Sequence, residues 1–171
     1  MPLDLANLEV VRLKETDEVG AFSSADTDLN NFLKVLALSY QAEDMGVTFL
    51  ARLDTELVGY FTVSTANIRV RQVESRDQIE GLENMEYYPA LLIGRLAVEE
   101  RLADQGIGSR LLQMIYGLAV ELQKRIGVRF LLLNATPKSQ LWWTNRGFTP
   151  LRDQGNRMLP FLYLDIRKME T

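Results

Sequence analysis

The 171-residue chain contains no cysteine and no histidine. Without cysteine there are no disulfides, no thiol nucleophile and no thiolate metal site. Without histidine there is no Ser-His-Asp hydrolase and no histidine-ligated zinc, so no metal site is expected. The usual general base near neutral pH is also missing. Proton transfer must then run through a carboxylate, a tyrosine, a lysine, water or the substrate itself. No apolar run approaches the ~18 residues of a membrane span. The start, Met1-Pro2-Leu3-Asp4, lacks the basic and then apolar pattern of a secretory leader. These absences fit a cytoplasmic protein with no membrane partner. Internal repeats and Pro/Gly-rich linkers are missing too, so one domain over residues 1–171 is expected.

Charge of positive sign is scarce. The net charge is -4 and the pI about 5.0. That balance argues against broad nucleic-acid binding, whose affinity comes from neutralising phosphates.

What is present is a regular alternation of strand and helix signals. Leu8, Val10 and Val11 open a short strand. Ser23 to Asp28 is rich in helix-capping residues, and Leu29, Phe32, Leu33, Leu36, Ala37 and Tyr40 recur at helical spacing. This pattern predicts a helix over about 27–44, closed by Gly46. Alternation at Val47, Phe49, Ala51 and Leu53, a turn at Asp54-Thr55-Glu56, and a β-branched stretch from Leu57 to about Val70 predict a hairpin. Residues 71–87 read as a solvated loop with a short helix over 74–84, able to cover an acceptor site.

Ala90 to Val98 is apolar on both faces, as a central strand is. Gly94 within it predicts a bulge or a close backbone approach. A helix of about five turns follows over Leu111 to Ile126, ended by Gly127. Then come a buried strand over Val128 to Leu133, a short helix over Ser139 to Arg146 stopped by Gly147, and a last strand over Phe161 to Ile166. The fold class is α/β, with a central mixed, twisted sheet flanked by helices on both faces. The segment 90–133 should form a right-handed parallel crossover.

The junction before the long helix carries the chemistry. A strand runs through Glu99-Glu100-Arg101-Leu102-Ala103-Asp104 into Gln105-Gly106-Ile107-Gly108-Ser109. A Gly-x-Gly turn at a helix start is an anion cradle: glycine lets the backbone approach a phosphate, and unpaired amides and the helix dipole hold it. The third glycine of the dinucleotide fingerprint is absent, and no Gly-Lys-Ser/Thr of a Walker loop follows. A tight turn with no ligand would use the same residues.

Leu96-Ala97-Val98-Glu99-Glu100-Arg101 through Gln105-Gly106-Ile107-Gly108-Ser109-Arg110-Leu111-Leu112 resembles the coenzyme A-binding motif of GNAT acetyltransferases. Leu131-Leu132-Leu133-Asn134-Ala135 followed by Leu141-Trp142-Trp143-Thr144-Asn145-Arg146-Gly147-Phe148 resembles the family's later motif. The resemblance implies acetyl-CoA as cosubstrate. Pantetheine would run along Leu96, Ala97 and Val98, in an opening between the two central strands. Pyrophosphate would sit on the amides of Ala103, Asp104, Gln105, Gly106, Ile107, Gly108 and Ser109. Asn134, Trp143 and the short helix would flank the cofactor. The acceptor amine would attack the thioester directly, with no covalent enzyme intermediate.

Three positions depart from the family pattern. Ala103 stands where Arg or Gln is usual, Asp104 where Gly is usual, and Trp143 where a tyrosine commonly acts as acid. An indole donates a hydrogen bond but transfers no proton. Glu86 and Tyr88, just before the central strand, are candidates for base or acceptor contact, although Tyr88 before Pro89 also suits a packed residue. Glu99 and Glu100 read as a solvated turn. Arg95, a charge inside an apolar strand, fits either a substrate contact or an ion pair across the sheet.

The leading expectation is an N-acetyltransferase acting on a small-molecule or peptide amine. Leu29-Asn30-Asn31-Phe32-Leu33, Val58-Gly59-Tyr60-Phe61-Thr62-Val63-Ser64 and Gly94-Arg95-Leu96-Ala97-Val98 also resemble a GNAT branch of toxins that acetylate charged tRNA. A third reading is a binding module that has lost turnover. Family members often dimerise, and an exposed strand edge would allow a homodimer.

Overall fold

The computed structural model describes residues 2–169; Met1, Glu170 and Thr171, part of the expected 1–171 domain, lie outside the described residues. Seven strands form one mixed sheet in the order β1-β2-β3-β4-β5-β7-β6. They are β1 (Leu8–Arg12), β2 (Val47–Leu53), β3 (Glu56–Arg69), β4 (Tyr87–Val98), β5 (Phe130–Asn134), β6 (Thr149–Pro150) and β7 (Phe161–Asp165). β4 and β5 are parallel, from Ala90↔Phe130 to Ile93↔Leu133. The β1–β2, β2–β3, β5–β7 and β6–β7 pairs are antiparallel. Among the described residues, no helix is long and apolar enough to cross a membrane.

The chain divides into two compact units. The first comprises the residues up to Ser64 together with Gly94–Gly117; the second comprises Thr65–Ile93 together with the residues from Leu118 onward.

In the first unit the expected helix is built in three pieces. They are α1 (Thr27–Asn31), a π-helical turn (Phe32–Leu36) and α2 (Ala37–Ala42). Asp26 caps the start, accepting from the amides of Asp28 and Leu29. At the π turn the Ala37 amide reaches back five residues to the Phe32 carbonyl. One extra residue enters the turn there, which apolar spacing alone does not reveal. The helix ends at Glu43 with Asp44 in the left-handed region (φ 58°), not at Gly46.

Helices cover both faces of the sheet in this unit. Tyr60 of β3 is buried with Phe32, Leu33 and Ala37. Its neighbour Gly59 points the other way, since adjacent strand residues alternate faces. A Cβ on Gly59 would stand 2.8 Å from the Ala97 carbonyl oxygen and 3.1 Å from Leu111 of α3 (Ile107–Leu122). This is the close backbone approach. Gly94, where it was expected, would meet nothing nearer than the Thr62 oxygen at 3.7 Å. Helix α3 buries Ile107, Leu111, Leu112, Ile115 and Ala119, a stripe at helical spacing. It ends at Leu122, short of Gly127, and β5 begins at Phe130 rather than Val128.

In the second unit, Ile68, Val70, Val73, Tyr88, Ala90, Phe130, Leu132, Leu151 and Tyr163 form the core. Within the expected loop, Val73 to Asp77 is tied down, while residues 80–86 are exposed as expected. Val73 is fully buried, and Glu74 donates its amide to the Tyr163 hydroxyl at 3.0 Å. Asp77 accepts from Tyr163 at 2.7 Å and pairs with Lys168. Only short 3-10 turns occur here, over Val70–Gln72 and Ser75–Asp77, in place of the expected helix. The two-residue strand β6 was not anticipated, being too short for any periodicity to show. Gly147 follows α4 (Gln140–Thr144) with φ 95° and stops it as expected.

Candidate active site

In the first unit, β4 delivers the chain to the start of α3. β4 continues past its last pairing with β5, at Ile93, to Val98. Leu96 and Val98 are half-buried, while Ala97 packs among the α1–α2 core residues. The Glu99 amide donates to the Val58 carbonyl at 2.9 Å, and the Glu100 amide to the Ser23 carbonyl at 2.8 Å. Glu99 is not a solvated turn residue: it is buried, and its Oε2 accepts from the Ser23 amide at 3.1 Å. It therefore anchors the cradle's base to the loop before α1. Arg101 forms an ion pair with Glu56.

The cradle itself is open. Ala103, Asp104, Gln105 and Gly106 are all exposed, and Ile107 is the first buried residue. Gly106 has φ 88°, a conformation glycine adopts without cost. Asp104 has φ 60°. The family's usual glycine at this position thus has a conformational reason, and aspartate is among the few residues that tolerate it. Its carboxylate is exposed to water. Arg110 donates its amide to the Gly106 carbonyl at 3.1 Å, closing the first turn of α3. The amides at the start of a helix have no carbonyl four residues back to bind. Gly106, exposed, leads directly into the 16-residue helix α3. The Arg110 guanidinium donates to Gln113 at 3.1 Å, and among the described residues no ion pair joins it to a carboxylate. This arrangement fits a diphosphate.

Arg95 lies flat over the Phe32 ring, 3.7 Å from its centroid, with Tyr40 at 5.7 Å. Among the described residues it makes no cross-sheet ion pair; aromatic faces are its neighbours, and the expected substrate contact stays open. Tyr60 nearby is locked, donating to the Leu29 carbonyl at 2.6 Å. Burial pushes its phenol well above the ordinary range, with Arg95 opposing and Asp26 adding to the shift. It is not an available proton donor.

In the second unit, Tyr88 is a core residue rather than an acceptor-site group. It is 2% exposed, stacks on Phe130 with centroids 5.5 Å apart, and uses its hydroxyl twice. The hydroxyl donates to the Leu82 carbonyl and accepts from the Ile79 amide, each at 3.0 Å. Glu86 is exposed and lies 3.6 Å from Arg69, a loose contact between two solvated groups. Asn134 ends β5 opposite Phe161 and is exposed. Trp143 is buried against Phe148, with ring centroids 5.1 Å apart and the planes near perpendicular. Trp142 is the outward one, capped by the Arg146 guanidinium at 3.6 Å. The substitution at the tyrosine position is thus accommodated as packing.

No family model matches the chain. It is 28% identical over 125 residues to the tRNA-acetylating toxin of Mycobacterium tuberculosis, covering 72% of this chain and 73% of that protein. The solved structure of AtaT complexed with acetyl-methionyl-tRNAfMet superposes with a TM-score of 0.83 at 19% identity, covering 95% of this chain and 97% of that one. AtaTR bound with AcCoA gives a TM-score of 0.79 at 19% identity, covering 96% of each chain. At such identities the solved structures establish the fold.

Proposed function

We propose that the chain is a toxin-type N-acetyltransferase of the GNAT superfamily, which moves an acetyl group from acetyl-CoA to the amine of an aminoacyl-tRNA. The open cradle at Asp104 to Gly106 is the observation that carries the donor half of this reading. The acceptor half rests on the relatives, which are named for tRNA acetylation or caught with acetylated tRNA. They favour charged tRNA over the small-molecule or peptide amine that the sequence put first.

The amides of Gly106 and Ile107, with their neighbours from Gln105 to Ser109, would hold the pyrophosphate. The backbone at Leu96 and Val98 would run beside the pantetheine arm. Acetyl-CoA supplies the activated acyl group as a thioester. The amine nitrogen attacks the carbonyl carbon, the C–N bond forms and the C–S bond breaks. A free α-amino group titrates near 8, so a usable neutral fraction exists at pH 7. That suits a chain with no histidine, because no strong base is required. The nitrogen gives up one proton to water as the amide forms, and the departing thiolate takes one proton from water. Trp143, buried and without a transferable proton, need not act.

The test is transfer of labelled acetyl from acetyl-CoA to charged tRNA, deacylated tRNA and free diamines. Label on charged tRNA alone, removed by mild base with the aminoacyl ester, is the expected result. Label on diamines alone would restore the small-amine reading.

A further inference from the structure

An acidic protein that handles tRNA needs a local surface where phosphate is welcome. The second unit holds a groove of about 420 Å³ lined by Arg69, Arg71 and Arg152, together with Gln78, Glu83 and Glu86. Arg152 is fastened to the backbone of the segment that carries Arg71. The Arg152 amide donates to the Gln72 carbonyl and its Nη2 to the Arg71 carbonyl, each at 2.8 Å. Gln72 returns a bond to the Arg152 carbonyl at 3.2 Å. Among the described residues no carboxylate lies within ion-pair distance of Arg71 or Arg152, and the buried Arg152 Nε has no acceptor.

The two acidic neighbours do not cancel this charge. Glu83 accepts from the Gly81 amide at 2.9 Å. Glu86 reaches only Arg69, at 3.6 Å, with both side chains largely in water. Three arginines against two glutamates leave the groove net positive on a protein of net charge -4, a local setting that favours an anion. Guanidinium forks match phosphate oxygens in pairs, which a lysine cannot do.

Building on the aminoacyl-tRNA reading, we propose that this groove binds the sugar-phosphate backbone of the tRNA substrate, with Arg71 and Arg152 as the phosphate contacts. The groove therefore sets affinity for the tRNA body and takes no part in chemistry.

The experiment is fluorescence anisotropy of end-labelled, uncharged tRNA against the full chain and its Arg71→Glu, Arg71→Lys and Arg152→Gln variants over a salt series. Arg71 is exposed and its side chain holds no other element, so those two variants decide the matter even where Arg152→Gln loosens its loop. The expected result for R71E is about a tenfold loss of affinity, with the log–log salt slope shallower by about 1. R71K should lie between R71E and the parent. Unchanged affinity and slope in R71E overturn the proposal, and so does a parent that binds no tRNA. Acetylation is scored separately: a parent that binds tRNA through Arg71 but labels no charged tRNA would sink the functional reading and leave the groove standing.

Discussion

At the start of α3 the first unit exposes Ala103, Asp104, Gln105 and Gly106, and what it offers there is backbone. In the second unit the polar groups are side chains turned inward. Asp77 is buried against Tyr163 and Lys168, and Asp165 receives two hydrogen bonds from Arg129, at 2.8 and 3.0 Å. Asp77, Tyr88 and Tyr163 are spent on holding loops. At the cradle, the groups that could hold an anion are backbone amides, which only proline would remove. A chain without histidine can still carry out acyl transfer on these terms, since positioning and dipoles need no titrating side chain.

The sharpest way to break the first region is to fill the Gly59 contact. Gly59→Val places a side chain against the Ala97 oxygen at a distance real Cβ atoms do not show. A loss of roughly 1–3 kcal/mol, or more, is expected on thermal or urea unfolding. A variant as stable as the parent would mean that β3 shifts freely beside the cradle's base.

In the second region the buried carboxylate is the weak point. Burial alone would push the Asp77 carboxyl up, but hydrogen bonds from Lys168 and Tyr163 and the nearby charges of Lys168 and Arg76 outweigh it and hold the carboxyl below its ordinary 3.8. A lowered value in the folded state contributes stability above the unfolded value and loses it as pH falls through the folded one. Asp77→Asn should therefore cost about 1–3 kcal/mol at neutral pH. The gap to the parent should close progressively below about pH 4. A gap that stays constant from pH 7 to 3 would show that the charge does not matter.

Tyr88→Phe separates packing from catalysis. Losing the hydroxyl strands the Ile79 amide and the Leu82 carbonyl, at about 1 kcal/mol. Acetyl transfer at saturating substrates should stay within about twofold. A hundredfold fall in kcat with normal stability would return Tyr88 to the active site. The smallest effect is expected from Asp104→Gly, which relieves a left-handed aspartate and removes one exposed charge. Acetyl-CoA should then bind about 2- to 5-fold more tightly, the size of one solvated charge pair; weaker binding would give Asp104 a positive role.

Much of this was legible in the order of residues. The apolar run at Ala90 to Val98, the Gly106-Ile107-Gly108 turn and the Leu111 to Ala119 stripe placed the central strand, cradle and long helix within a few residues. What failed to show depended on partners that no local periodicity ties together. Glu99 looks solvated beside Glu100 until the Ser23 amide is seen above it. Tyr88 looks like a rim residue until Ile79 and Leu82 close over its hydroxyl. The arginine groove joins Arg69 and Arg71 to Arg152, and no local pattern links them. The π turn at Phe32–Leu36 and the two-residue β6 were hidden for the opposite reason, being too small to disturb the surrounding periodicity.

The backbone cradle is tested most directly by calorimetric titration of acetyl-CoA into the protein and into Gly106→Val. Micromolar binding by the parent and at least a hundredfold loss in the variant, with the fold intact by circular dichroism, is the predicted result. Equal binding by both proteins, or none by the parent at millimolar acetyl-CoA, would contradict the account.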